Sequence, residues 1–256
     1  MCKSIRRLLN MNPEWDFYMF GDDDIVAYLQ HSRYKSLQPL FDIVATGAIR
    51  ADLWRYLVMF DYGGVYFDID AWAWAPLRDF IPNDAAVVTT SMTAGLLCQW
   101  ALMYRPGHFI MSAAAKEAFQ SVLRVVTGEE DWKRHEFEWK ETVTGPPALS
   151  RAFERTSKLI RGRPEDRVIM YLTNNFGGKM QNRFDEIKKE QQAKQDGTAG
   201  NALWTDSSVS LFHVNANRER FIAEKNMWME RINRLLPDVE SGPVVYRKGP
   251  ESFITN

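Results

Sequence analysis

A helix, two glycines and a short strand ending in two aspartates lie within residues 48–70, and this stretch constrains the chain more than any other. The apolar side chains of its first part recur at helical spacing: Leu53, Leu57 and Phe60. Gly63-Gly64 predicts the end of the helix, because glycine accepts a left-handed cap without steric cost. Asp52 and Arg55 lie three residues apart, so they share a helix face and can act on one ligand.

The segment that follows the glycines predicts a buried strand over Val65–Ile69. Its alternation places three apolar residues on one side: Val65, Phe67 and Ile69. Tyr66 and Asp68 fall on the other side. Asp70 follows at the carboxyl end of the strand, where open α/β sheets bind their ligands.

Two carboxylates at the spacing of Asp68 and Asp70 repel each other unless a cation lies between them or one is protonated. The short spacing is awkward for an acid and a base on opposite sides of a bond. It suits a divalent metal, or the binding of a ribose and a metal together. The acidic run Asp22–Asp24 also contains this spacing, but it precedes an apolar helical pattern. Capping of that helix is therefore the favoured interpretation there.

The stretch resembles the sugar-nucleotide-binding core of glycosyltransferase family 32, a core shared with glucosylating clostridial toxins. That core has Asp-x-x-Arg-Tyr and, after a spacer, Gly-Gly-x-Tyr-x-Asp-x-Asp, and every named position is present between Asp52 and Asp70. The resemblance implies an α/β GT-A (Rossmann-like) fold with a mixed central sheet flanked by helices. It also implies a metal-dependent glycosyltransferase of the hexosyltransferase type that transfers sugar from a nucleotide-sugar with retention, using Mn²⁺ or, alternatively, Mg²⁺.

The resemblance assigns roles to individual residues. Catalytic roles are implied for Asp68, Asp70 and Arg55, and the two aspartates are expected to bind the metal. A wider set is expected to contact the donor: Asp52, Arg55, Tyr66, Asp68, Thr144 and Gly145. His213 follows an apolar segment and is either a third metal ligand or a structural histidine.

The donor and acceptor are less constrained. A UDP-sugar is the favoured donor and GDP-mannose the alternative, while the acceptor is expected to be a glycan or glycoconjugate. Trp72 and Trp74 could form the floor of a sugar site or pack beneath a loop, and residues 91–99 could form a wall of the acceptor site. Two other functions stay open: a nucleotide-sugar hydrolase or phosphotransferase, and a non-catalytic carbohydrate-binding relative. The presence of both aspartates disfavours the second.

The whole chain of 256 residues, of which 45% are hydrophobic, predicts one GT-A-like domain over 1–256. Compared with the family, we expect the N-terminal first strand to be absent, and the polar residues 179–200 predict a flexible loop. A net charge of −1 gives no reason to expect nucleic acid as a partner. The sequence has only two cysteines, and it shows no apolar run of the membrane-spanning or signal-peptide type. Both observations favour a reducing location, the cytoplasm of a bacterial or virus-infected cell.

Local patterns predict the remaining elements. Helices are expected over residues 1–12, 48–62 and 109–126 and from Thr144 onward, with His108 at a helix start. Strands are expected over residues 15–20, 65–69, 85–90, 168–172 and 209–212. Residues 31–42 are expected to be irregular, and residues 129–142 a surface helix or long loop.

Overall fold

The computed structural model describes residues 3–91, 96–129, 144–160, 167–171, 176, 179–182 and 218–236, which form an α/β arrangement. Its α-helices are α1 (Lys3–Met11), α2 (Asp22–His31), α3 (Gln38–Asp42), α4 (Gly47–Tyr62), α5 (Phe109–Thr127), α6 (Pro146–Ile160), α7 (Arg218–Ala223) and α8 (Lys225–Leu235). Short 3-10 helices lie at Lys35–Leu37 and Leu77–Asp79. Within these ranges, no helix is both long enough and apolar enough to cross a bilayer.

The strands are β1 (Gly64–Phe67), β2 (Ala71–Ala73), β3 (Val87–Thr90), β4 (Ala101–Tyr104), β5 (Val168–Tyr171) and β6 (Met180–Asn182). Four of them form a mixed sheet in the order β1-β4-β3-β5. Strand β4 is antiparallel to both neighbours, whereas β3 and β5 are parallel. Strands β2 and β6 form a separate antiparallel ribbon. The predicted mixed sheet flanked by helices is therefore confirmed.

Alternating side chains of the sheet divide the interior into two apolar clusters. On one face, Tyr66 and Leu102 pack with the core that α4 and α5 contribute to. On the other face, Val65 and Met103 pack with the β2–β6 ribbon and with Leu8 of α1. Because β1 contributes to both clusters, the end of β1 is held from both sides.

Helix α4 ends as predicted, at a glycine. Gly63 has a φ of +61°, and a β-carbon at this position would lie 2.3 Å from the backbone nitrogen of Pro106. The glycine is therefore required by the close approach of a second chain segment as well as by its backbone conformation. This tight turn carries the chain directly from α4 into β1.

Two predictions for the first part of the chain are wrong. Residues 16–20 form no strand and pair with none in the described ranges, because alternation alone does not supply a hydrogen-bonding neighbour. Residues 31–42 are not irregular, since they contain the Lys35–Leu37 turn and α3. Pro39 lies in the first turn of α3, where its missing N–H costs nothing.

The strand predicted over 65–69 ends at Phe67, so Ile69 lies in a turn and is 65% exposed instead of facing inward. The loop predicted from residue 179 is also wrong at its start, because Met180–Asn182 pairs with β2 and Met180 is buried. Several predictions lie outside the described residues: the loop beyond 182, most of residues 129–142, strand 209–212 and His213.

Candidate active site

Arg55 is the centre of a buried polar network between α4 and the end of β1. Its Nη2 lies 3.3 Å from Oδ1 of Asp52 and 3.2 Å from Oδ1 of Asp68. Its Nη1 donates a hydrogen bond of 3.2 Å to the carbonyl oxygen of Gln99, just before β4. The Arg55 side chain is only 8% exposed, so its ion pairs are not those of an ordinary surface salt bridge.

Asp52 has both carboxylate oxygens occupied by neutral donors. The Nε2 of Gln99 donates to Oδ1 at 2.5 Å, and Oγ1 of Thr144 donates to Oδ2 at 2.7 Å. The hydroxyl of Tyr56, one residue after Arg55, donates to the carbonyl oxygen of Thr144 at 2.9 Å. These bonds fasten α4 to the segment before β4 and to the start of α6. Asp52 is therefore well placed to fix the position of Arg55.

Tyr66 links this network to Asp68. Its ring lies 4.9 Å from the guanidinium carbon of Arg55, and its hydroxyl donates to Oδ1 of Asp68 at 2.6 Å. Trp54 meets the Tyr66 ring edge-on at 6.2 Å between centroids, and Phe20 packs against Trp54. The Asp68 carboxylate is thus oriented by both a cation and a hydroxyl.

Asp70 is in the opposite situation. Its Oδ1 is buried and has no hydrogen-bond partner in the part of the chain that the structure describes. Burial, and after it the negative charge of Asp68, raises the pKa of the Asp70 carboxyl. The backbone N–H of Ala71 donates to the carbonyl oxygen of Asp68 at 2.9 Å, which closes the turn that holds the two aspartates together. A buried acceptor without a donor is costly, and a cation would remove that cost.

The pKa shifts show how the charges interact. Burial raises the pKa of the Asp52 carboxyl to about 6, although Arg55 and the Thr144 hydrogen bond oppose that shift. Burial alone would lower the pKa of Arg55, but Asp68, Tyr66 and Asp52 outweigh burial and raise it. With all groups ionised, three aspartates surround one arginine. The excess negative charge favours a divalent cation.

A metal would therefore be held by Asp68 and Asp70, which supply the oxygen ligands preferred by Mg²⁺ and accepted by Mn²⁺. The described residues contain no group of three His, Cys, Asp or Glu side chains that could hold an ion. Two carboxylates leave coordination positions for water or for phosphate oxygens of a donor, so the residues present fit such an ion. His213 lies outside the residues that the structure describes.

The structure brings most of the residues predicted from sequence into one place. Of the predicted donor residues, Asp52, Arg55, Tyr66 and Asp68 share the network, and Thr144 joins it through its hydroxyl. Gly145 joins it through its backbone carbonyl, 3.4 Å from the Tyr56 hydroxyl. Thr144 is fully buried just before α6.

Sequence reasoning missed Gln99 and the hydroxyl of Tyr56. Gln99 lies 47 residues from the aspartate that it binds, and the segment around it has no recognisable motif. Tyr56 follows the pattern Asp-x-x-Arg-Tyr, which was a usable signal. Its position on an apolar helix face instead favoured a simple packing role.

Comparison with known proteins matches this region to a family. Residues 1–87 match the model described as "Glycosyltransferase sugar-binding region containing DXD motif". Over these residues the chain is similar to DXD-containing glycosyltransferases. The resemblance predicted from the sequence is thereby confirmed over the residues that contain α4, β1 and both aspartates. Glycosyltransferase is accordingly the enzyme class that the comparisons support.

Three curated relatives are mannosyltransferases. The initiation-specific alpha-1,6-mannosyltransferase of Candida albicans is 25% identical, over 38% of this chain and 31% of its own length. The enzyme of the same name from Schizosaccharomyces pombe is 22% identical, over 49% and 35%. Inositol phosphoceramide mannosyltransferase 1 of Schizosaccharomyces pombe is 23% identical, over 34% and 27%. The chain thus spans about a third of the length of each relative. No solved structure matches it.

Proposed function

We propose that this DXD-containing glycosyltransferase relative is a GT-A glycosyltransferase that moves a hexosyl group from a nucleotide-sugar to a hydroxyl of a glycan or glycoconjugate. The contrast between the two motif aspartates carries the proposal. Asp68 is oriented by Arg55 and Tyr66, whereas the buried Oδ1 of Asp70 has no partner in the described ranges. A protein gains nothing in stability from such an acceptor, but a site for a cation-bound diphosphate needs one.

In the proposed reaction, the bond between the sugar and the diphosphate breaks, the diphosphate gains negative charge, and the sugar carbon becomes electron-poor. A divalent ion held by Asp68 and Asp70 supplies Lewis-acid stabilisation of the leaving diphosphate when it is bound. Arg55 adds a fixed positive charge at the same point, pre-oriented by Asp52 and Gln99. The Tyr66 hydroxyl fixes the rotamer of Asp68. Transfer with retention belongs to this proposal, and we assign no carboxylate base.

The donor remains a choice between two nucleotides. The motif led us to favour a UDP-sugar, with GDP-mannose as the alternative. The mannosyltransferase names of all three relatives favour a mannosyl donor, so GDP-mannose is now the first to test. Either donor requires the same two aspartates and the same arginine.

Thermal unfolding with UDP-glucose and with GDP-mannose, each with and without Mn²⁺, tests the donor site. A donor present at a hundred times its dissociation constant stabilises the folded state by about 2.7 kcal/mol. We expect that stabilisation for one nucleotide-sugar and in the presence of metal. Mass spectrometry with a mannoside acceptor then separates transfer from hydrolysis. Release of free sugar at a rate indifferent to the acceptor would establish the hydrolase instead, and no metal-dependent stabilisation by either donor would refute the proposal.

A further inference from the structure

A cavity of about 280 Å³ lies along α1, and its lining is cationic: Lys3, Arg6, Arg7, Asn10 and Met11. Three of these residues carry a positive charge, and no acidic residue is among them. Their spacing places them along one stripe of the helix. The volume is close to the lower end of about 300 Å³ that is common for small-molecule sites.

Two tryptophans lie beside Arg7, one of the residues that line the cavity. The guanidinium carbon of Arg7 lies 5.4 Å from the ring centroid of Trp72 and 5.6 Å from that of Trp74. The two rings meet edge-on at 5.9 Å, and Trp74 is 53% exposed. Arg7 is therefore held against both rings. A half-exposed indole beside an arginine suits the apolar face of a sugar ring next to an anionic group.

The position of α1 connects this cavity to the two aspartates. The hydroxyl of Ser4 donates to the carbonyl oxygen of Ile69, which lies between Asp68 and Asp70, at 2.8 Å. The Nε of Arg7 donates to the carbonyl oxygen of Ala73 at 2.6 Å. Helix α1 is thus fastened to both ends of the segment that leaves the candidate donor site. Arg7, which lines the cavity, therefore contacts that segment directly.

We propose that this cavity is an acceptor subsite for a sugar that carries a phosphate group. The phosphate would be bound by Lys3, Arg6 and the terminal nitrogens of Arg7, and the sugar ring would stack on Trp74. This inference rests on the proposed glycosyltransferase function and narrows its acceptor class. The chemistry on which it depends lies outside the carboxylate network. It consists of a cationic stripe of α1 and the indole of Trp74 beside Arg7.

Binding is tested without any nucleotide or metal, so that the result is independent of the donor site. The indole N–H of Trp74 in ¹⁵N-labelled protein, assigned with the Trp74→Phe variant, reports on the cavity directly. We expect mannose 6-phosphate to shift this resonance and to bind at least about tenfold more tightly than methyl α-mannoside. The Asp70→Asn variant should bind mannose 6-phosphate as the unmodified protein does, whether or not the donor proposal holds.

A matched pair of double variants tests the charges. Lys3→Gln with Arg6→Gln should weaken binding of mannose 6-phosphate at least about tenfold, because it removes two charge-assisted contacts. The control, Arg231→Gln with Arg234→Gln, removes two charges at the same spacing on α8, where Arg231 also stacks on a tryptophan. It should leave binding unchanged.

Four outcomes would overturn the proposal. The first is equal affinity for the phosphorylated and the neutral sugar, and the second is an equal effect of the two double variants on binding. The third is binding of inorganic phosphate as tight as that of the phospho-sugar. The fourth is binding to phosphatidylinositol vesicles without binding to mannose 6-phosphate. The third would show a simple anion site, and the fourth a membrane-docking surface.

Discussion

Replacing Asp70 by asparagine separates a functional carboxylate from a structural one. The substitution keeps the shape of the side chain and removes its charge. In the folded protein, Asp70 is partly buried beside Asp68, and burial followed by that neighbour raises its pKa. A carboxyl whose pKa is raised by folding costs stability at pH above both its folded and unfolded values. Removing the charge should therefore not destabilise the protein at pH 7.

The expected magnitudes follow from the partners of the side chain. Because the buried Oδ1 of Asp70 accepts no hydrogen bond within the described part of the chain, the variant loses no such bond there. Its free energy of unfolding should be within about 0.5 kcal/mol of the unmodified protein, or higher. Metal-dependent binding of the nucleotide-sugar should weaken at least tenfold, which corresponds to about 1.4 kcal/mol.

Asp61 provides the matched control, because it lies on α4 but is fully partnered. Its carboxylate accepts hydrogen bonds from the hydroxyls of Tyr28 and Tyr34 and pairs with Arg33. Asp61→Asn should destabilise the protein by about 2–4 kcal/mol, since it breaks a buried charged network. At this chain length that loss lowers the melting temperature by roughly 5–15 °C. Metal-dependent donor affinity of the folded variant should be unchanged.

Urea unfolding and calorimetric titration of the nucleotide-sugar, each with and without Mn²⁺, measure both quantities on the same three proteins. If Asp70→Asn lost several kcal/mol of stability and retained donor binding, Asp70 would be a structural residue. The assignment of the motif as a metal site would then be refuted. Loss of binding in both variants would show that the assay reports on folding instead of on the site.

Two further predictions concern other buried groups. Arg55→Lys keeps the charge, but the lysine cannot reach Asp52, Asp68 and the Gln99 carbonyl together. We expect the free energy of unfolding to fall by about 1–3 kcal/mol and kcat to fall by about tenfold or more. Normal values of both quantities would contradict this assignment. His108 caps α5 by accepting from the N–H of Ile110, and burial, with the charge of a neighbouring arginine, lowers its pKa to about 3. The ordinary pKa of histidine is near 6.5, so the protein loses stability as the pH falls below that value. Relative to His108→Asn, which keeps the cap, the unmodified protein should lose about 2 kcal/mol of unfolding free energy between pH 7 and pH 5, measured by urea unfolding. A difference between the two proteins that did not depend on pH would disprove this.

The part of the fold that sequence predicts best is the part governed by local chemistry. Helix α4, its glycine end and the start of β1 follow from periodicity and from backbone conformation, which are properties of neighbouring residues. Strand β4 was missed because both of its faces are buried, so its four residues show no alternation. Strand β6 was assigned to a loop, because its partner β2 lies about a hundred residues away.

The candidate site shows the same division. Proximity of Asp68 and Asp70 is a local property, and the motif predicted it. The partners of each carboxylate are not local: Asp52 depends on Gln99 and Thr144, which are distant in sequence. Sequence therefore indicated which side chains carry the chemistry, but it could not distinguish an anchored carboxylate from one left without a partner.

The three aspartates have the same side chain but different partners, and we expect their roles to differ accordingly. Asp52 is saturated by neutral donors and fixes Arg55. Asp68 shares its Oδ1 between Arg55 and the Tyr66 hydroxyl, so it is oriented but still carries a second oxygen. Asp70 has a buried oxygen without a described partner.

If a cation-bound diphosphate occupies this site, substitution of Asp70 should reduce the affinity for the donor most strongly. Substitution of Asp52 should act through the position of Arg55. Titration of an Asp52→Asn variant with the donor checks this order of affinity losses. Asparagine keeps one acceptor for the Thr144 hydroxyl, but it weakens the interaction with the Arg55 guanidinium. An Asp52 variant that lost metal-dependent donor affinity more than the Asp70 variant would reverse the assignment.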